Sequence, residues 1–337
     1  MDIPKILEQL CGLGGASGGE EKAHETVLKL LKSYIPNVKA DNFGNITGFS
    51  EGDEKKPLVL LEAHLDRIGM IVTKIDEEGF LKVSGMGTDR RTLLAQSVTV
   101  YCGDKTVKGV ISTLPPHLAT DSSKAPKTED IAVDVGMTKE QAEQIVSLGD
   151  LVLIDGRFSR LRDTRVCSPA TDDRAGVCAV LYALDLLKKE KELPVRLAVL
   201  FAAQEEVGCR GSKIAAFNID PDYAVAVDVS FAQGKGVDYP QAGELGKGAM
   251  IGIAPSLSRE ISQKLIKIAR DKEIPYQIEA MSGTTGTDAD SITVAKGGVS
   301  TGLISIPQRY MHTPCEVVDT EDIKWAGMLM AEFVKSM

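Results

Sequence analysis

The sequence predicts an α/β fold in which a mainly parallel central sheet is flanked by helices and interrupted by a compact β module. Three observations carry this prediction. Strand-length apolar runs alternate with amphipathic helical stretches up to residue 67 and again from residue 165. "VRLAVLFAA" and "YAVAVDVS" are apolar at successive positions, as in strands covered on both faces of a parallel sheet. Between the two halves the strands shorten and are separated by Gly- and Asp-rich turns. The expected organisation is a discontinuous α/β domain, residues 1–67 plus 165–337, with an inserted β domain over residues 68–164.

Taken in order, "MDIPKILEQLCGLGG" places Ile3, Ile6, Leu7 and Leu10 on one helical face. Residues 17–33 predict a second helix, with Ser17 and Glu20 at capping-box spacing and Val27, Leu28, Leu30 and Leu31 on its apolar side. "PLVLLEAHLD" is a strand that stops at His64 and Asp66. "MIVTKIDEEGFLKV" and "SVTVYCGDKTVKGVIS" predict hairpins, and "DLVLIDGRF" one further strand. "TLPPHLATDSSKAPKTED" predicts a polar, Pro-rich surface loop. "RAGVCAVLYALDLLKKE" is a helix with basic residues in its last turn, which suits the helix dipole. "SREISQKLIKIARDKEI" is a helix, "GLISIP" a strand, and "TEDIKWAGMLMAEFVKSM" a closing helix.

At 337 residues the chain exceeds one ordinary core. Its 43% hydrophobic and 26% charged residues are those of a soluble globular protein. A formal charge of −9 excludes nucleic acid and anionic membrane as main partners, because an acidic surface repels both. No apolar run has bilayer-spanning length, and the start lacks the basic and apolar segments of a signal peptide. The six cysteines form no CxxC pair, and a reducing cytoplasm is expected.

What stands just past each apolar strand forms a short set. His64 and Asp66 follow "PLVLLEA", Asp172 and Asp173 precede the helix at Arg174, and Glu205 and Glu206 follow "LAVLFAAQ". Asp228 closes "YAVAV", and His312 comes shortly after "GLISIP". Each has an ordinary reading alone, as a helix cap, a solvated turn or a satisfied histidine. Asp228 is the hardest to read that way, since a carboxylate inside an apolar strand must be paired, protonated or metal-bound. Ligands of open α/β sheets gather beyond the carboxyl ends of the strands, so five segments deliver acids and imidazoles towards one place. His24 and His117 read as plain helix and loop residues.

Adjacent carboxylates repel unless positive charge stands beside them. Carboxylate oxygen and imidazole nitrogen suit hard or borderline divalent ions, and two such ions activate a water as nucleophile. One glutamate of the Glu205-Glu206 pair then binds metal while its neighbour takes the proton of the water, and Asp66 orients His64. Zinc, cobalt and manganese all suit this set.

The motifs "AHLDRIG", "TDDRAG", "QEEVGCRGS", "AVAVDVS" and "GTDADS...GLISIPQRYMHTPCEVVD" resemble the dinuclear metallo-aminopeptidases of the TET and glutamyl (deblocking) aminopeptidase family, often labelled cellulase M or endoglucanase. The resemblance spans nearly the whole chain. It implies a zinc-peptidase-like domain with a β-barrel-like insert that serves oligomerisation. It also implies that His64, Asp172 and Asp228 hold one metal and Asp172, Glu206 and His312 the other, with Asp172 bridging. Glu205 matches the general base and Asp66 the residue beside His64. The implied activity is removal of N-terminal residues from short peptides with zinc or cobalt, often in a dodecamer with a dimer as building block. Arg67 and Thr313 depart from the common pattern, and Arg67 is expected to alter charge near the cleft. "MSGTTGTDADS" is expected to line the cleft. The rivals are an N-acyl amino-acid deacylase or carboxypeptidase of the same superfamily, and a non-catalytic particle-forming protein with a vestigial site. Glycosidase chemistry is disfavoured because it needs two carboxyls flanking an open sugar site.

Overall fold

In the computed structural model, residues 1–114, 117–118, 126–127 and 130–337 are described. Most of the predicted Pro-rich loop lies outside them. Among the described residues, eleven strands form one mixed sheet and six close a barrel.

Four parallel strands make the middle of the large sheet, in the order Arg196–Ala202, Leu58–His64, Tyr223–Phe231 and Ser300–Arg309. Antiparallel strands extend both sides. Asn37–Ala40 and Ile46–Phe49 continue from Arg196–Ala202, and Glu316–Asp319, Arg165–Ser168 and Ser159–Arg160 continue from Ser300–Arg309. The mainly parallel character thus belongs to the centre.

Because side chains alternate across a strand, Val59, Leu61 and Ala63 pack on one face with Val225, Val227 and Phe201. The helices Thr171–Leu187 and Thr320–Lys335 cover them with Val177, Leu181, Ile323 and Phe333. The other face carries Leu58, Leu60, Ala198, Ala224 and Ala226 against Ala215, Ala216, Ala289 and Ile292 of the helices Arg210–Ile219 and Asp288–Thr293. Small alanines there let both helices approach closely. Continuing the same alternation, Glu62 and His64 follow Leu60, and Asp228 follows Ala226, towards these two helices.

The predicted hairpins form as Gly69–Ile75 with Leu81–Met86 and Ser97–Cys102 with Lys105–Ile111. Leu151–Ile154 and Ala132–Asp134 complete the barrel around Met70, Val83, Val98, Val100 and Val152. No described helix is long and apolar enough to cross a membrane.

Two local expectations fail. The helix Glu21–Lys32 has Glu20 as its N-cap residue with no side-chain cap bond. Ser17 donates instead to Asp66 Oδ2 at 2.6 Å, and Glu20 Oε1 accepts from the backbone of Gly18 and Gln204 at 2.9 and 3.1 Å. Tertiary donors therefore outcompete the local capping box. The helix Thr171–Leu187 closes before Lys188 and Lys189, so its last turn carries no basic residue.

Candidate metal centre

The turn that ends Arg196–Ala202 is held by side chains from three other segments. The N–H of Ala203 donates to Asn45 Oδ1 at 2.9 Å, and that of Gln204 to Glu20 Oε1. The N–H groups of Glu205 and Glu206 donate to Asp66 Oδ1 and Oδ2 at 3.0 and 3.3 Å. Four consecutive donors at the strand end thus meet side-chain acceptors, as buried backbone requires. The neighbouring glutamates then diverge. Glu206 Oε2 lies 3.2 Å from His312 Nε2, whereas Glu205 Oε1 accepts from Cys209 Sγ at 3.3 Å.

Asp172 stands between the two histidines. Its Oδ1 is 3.0 Å from His64 Nε2, and its Oδ2 is 3.2 Å from His312 Nε2. Asp228 Oδ1 reaches His64 Nε2 at 3.7 Å. All five predicted ligating residues therefore converge, although they come from five separated segments. His64 Nδ1 is nearer the backbone carbonyl of Asp66, at 3.0 Å, than its carboxylate, at 3.5 Å. Asp66 thus touches His64 through both groups, while its carboxylate also braces the Glu205-Glu206 backbone.

Further acids stand around these five, and Glu316 among them escapes the sequence reading. Glu316 Oε2 accepts from the N–H of Asp172 at 3.1 Å and Oε1 from that of His312 at 3.2 Å, so one carboxylate ties the two segments together. Asp173 is buried and joins His64 and Asp228 in a group whose ligating atoms lie within 4.8 Å of one another. His64, Asp172 and Glu206 form a second such group. Asp288, from the predicted cleft segment, does reach the centre, next to Glu205. Arg67 is buried, with its Nη2 donating to the Ile154 carbonyl at 3.5 Å, and its charge acts on the Glu316 carboxyl from within the protein rather than from an open cleft.

The donor set fits divalent cations. Glu206 Oε1 and Asp173 Oδ2 are buried without a hydrogen-bond partner. Burial pushes the carboxyls of Asp173 and Asp228 well above the usual carboxylate range and that of Glu205 up to about 8. Asp172 goes the other way: burial would raise it, but the bonds to His312 and His64 outweigh that. Those bonds to Asp172 and Glu206 lift His312 to about 11. A buried acid cluster of this kind is stabilised in its ionised form by positive charge placed among the carboxylates.

The profile of the family described as M42 glutamyl aminopeptidase matches residues 44–329. The lysyl aminopeptidase of Pyrococcus furiosus is 34% identical, over 97% of this chain and 96% of its own. An aminopeptidase structure from the archaeon Desulfurococcus kamchatkensis has a TM-score of 0.93 at 35% identity, covering 99% of this chain and 95% of that one. The TET1 peptidase of Pyrococcus horikoshii, described as able to assemble into a tetrahedron or a large octahedral shell, has a TM-score of 0.89 at 29% identity over 100% of both chains. Fold, motifs and relatives agree, and the chain belongs to the M42 glutamyl aminopeptidase family of peptide-bond hydrolases.

Proposed function

We propose that the chain is a metal-dependent aminopeptidase that removes N-terminal residues from short peptides. The observation that carries this is the Asp172 carboxylate standing between His64 and His312, one oxygen towards each. His64 and Asp228 would hold one divalent ion, Glu206 and His312 the other, with Asp172 shared. Zinc or cobalt suits this nitrogen-and-oxygen set, and manganese also fits. When bound, such ions polarise the scissile carbonyl and lower the pKa of a water.

The protein's own groups supply the rest. Glu205 points away from the His312 side and is the general base, taking a proton from the attacking water and passing it to the leaving amine. Asp66 positions both glutamates through their N–H groups and orients His64. Glu316 fixes the separation of Asp172 and His312 through their backbones.

Glu205→Gln should retain two cations per chain and lose turnover by on the order of a hundredfold or more. Cation content by elemental analysis and hydrolysis of aminoacyl-nitroanilides check this together; full activity removes Glu205 from the mechanism. The same panel set against N-acetyl amino acids tests the reaction class, and preference for the acylated substrates would make the chain a deacylase.

The α/β residues 1–67 and 165–337 would form the catalytic unit, and residues 68–164 an assembly module for a homo-oligomer. The barrel side exposes Ile145 and Leu148, 38% and 66% accessible, which is apolar surface suited to a second copy. The tetrahedral or octahedral assembly described for the Pyrococcus horikoshii peptidase supports a homo-oligomer, and the dodecamer described for the same TET1 peptidase favours twelve copies. Six free thiols fit a reducing, cytoplasmic location.

A further inference from the structure

A second cluster of ligating atoms lies one turn beyond Glu205. The N–H groups of Gly208 and Cys209 both donate to the Glu205 carbonyl, at 2.8 and 2.9 Å. These two bonds close the chain into a tight non-helical turn through Gly208, whose φ is 113°, and Cys209 Sγ there donates to Glu205 Oε1. Cys209 holds its thiol there from a left-handed backbone, φ 52°, a conformation uncommon for a residue other than glycine. Asp288 enters from the opposite side. It is 2% exposed, its Oδ1 accepts from Ser212 Oγ at 2.5 Å, and its buried Oδ2 meets no hydrogen-bond donor, with the buried Glu62 carboxyl set against the same side chain. One ligating atom from each of Glu205, Cys209 and Asp288 lies within 4.8 Å of the others. Burial, with the carboxylates of Asp288 and Glu205, pushes the Cys209 thiol up, which argues against a nucleophilic role for it.

We propose that Glu205, Cys209 and Asp288 form a third divalent-cation site, separate from the donors around Asp172, and that a thiophilic cation bound there silences the peptidase by capturing Glu205. The unsatisfied oxygen of Asp288 and the sulfur of Cys209 complete a set that selects zinc, cobalt or cadmium over magnesium and manganese. Binding forms a cation–sulfur bond and releases the thiol proton to solvent, with no change of oxidation state. The inhibitory consequence rests on the general-base reading of Glu205. The cation site itself does not.

The test titrates the holoenzyme, already carrying its two cations, with cobalt and separately with cadmium. A thiolate-to-cation charge-transfer band should grow with the third equivalent while turnover falls in step. Cys209→Ala should show no band and, relative to its own turnover without added cation, raise the inhibiting concentration by about tenfold or more. Asp288→Asn, which keeps the thiol and the shape, should also weaken the third equivalent. A third equivalent bound without the band overturns the site. So does inhibition of Cys209→Ala at the wild-type concentration, or no third equivalent at all, as expected if Asp288 Oδ2 shares a proton with Glu62. A band with undiminished turnover keeps the cation site and overturns its inhibitory effect, and Glu205→Gln then shows separately whether the base is misassigned.

Discussion

Glu316 lies four residues past His312 in the sequence, yet its carboxylate fixes the backbone of both His312 and Asp172. Burial raises it to about 8, so it is held as a structural acid rather than offered to solvent. Glu316→Ala leaves two buried N–H groups without an acceptor and lets the Asp172 and His312 segments drift apart. Cation affinity should fall about 10–100-fold, as for other residues that orient ligands. Equilibrium dialysis measures this, and unchanged occupancy with unchanged affinity would refute the bracing role. His64, Glu205, Glu206, Asp228 and His312 were legible because each stands at or shortly after an apolar run, and Asp172 because an acid pair precedes a helix there. The parts played by Glu316 and Glu20 were not. A buried acid whose partners are distant backbone N–H groups leaves no trace in local periodicity. Cys209 carried no periodic signal either, because the turn that brings it to Glu205 runs through positive φ at Gly208 and Cys209 rather than through a helix.

At the scale of elements, the turn after Arg196–Ala202 depends on close backbone approach. A Cβ on Gly211 would lie 2.2 Å from the Ala203 carbonyl oxygen and 2.3 Å from Asn45 Oδ1. The neighbours are a backbone atom and a short side chain already bonded to Ala203, so neither can yield without moving the turn. Gly211→Ala should therefore destabilise by about 1–3 kcal/mol and lower activity by displacing Glu205 and Glu206. Denaturant midpoints and turnover measured on one preparation check both, and a neutral variant would show that the turn has slack. The central strands and long helices could be read from the sequence because burial on one or both faces imposes a period. The short strands Ser159–Arg160, Arg165–Ser168 and Glu316–Asp319 could not, being two to four residues long. The capping box failed for a related reason, since Ser17 and Glu20 answer to Asp66 and Gln204 rather than to their own helix.

For the whole molecule, cations held as proposed among ligands from five segments would favour the folded chain over the unfolded one. At a cation concentration a hundredfold above Kd the gain is about 2.7 kcal/mol per site. Chelator should lower the melting temperature and readdition restore it; an unshifted transition would mean that the cations do not bind the native state preferentially. The assembly reading is tested at the barrel. Leu148→Glu places a charge on an exposed apolar position and should reduce the mass found by light scattering, with the catalytic strands untouched. An unchanged mass would move the contact elsewhere.

The same dispersal has a bearing on biosynthesis. His64 leaves the ribosome early, but its counterpart at 312 emerges only after Tyr223–Phe231 and Ser300–Arg309 have been made. On the proposed assignment, a nascent chain lacks a ligand of its centre until synthesis is nearly complete. Chains terminated before that histidine should then show no peptidase activity.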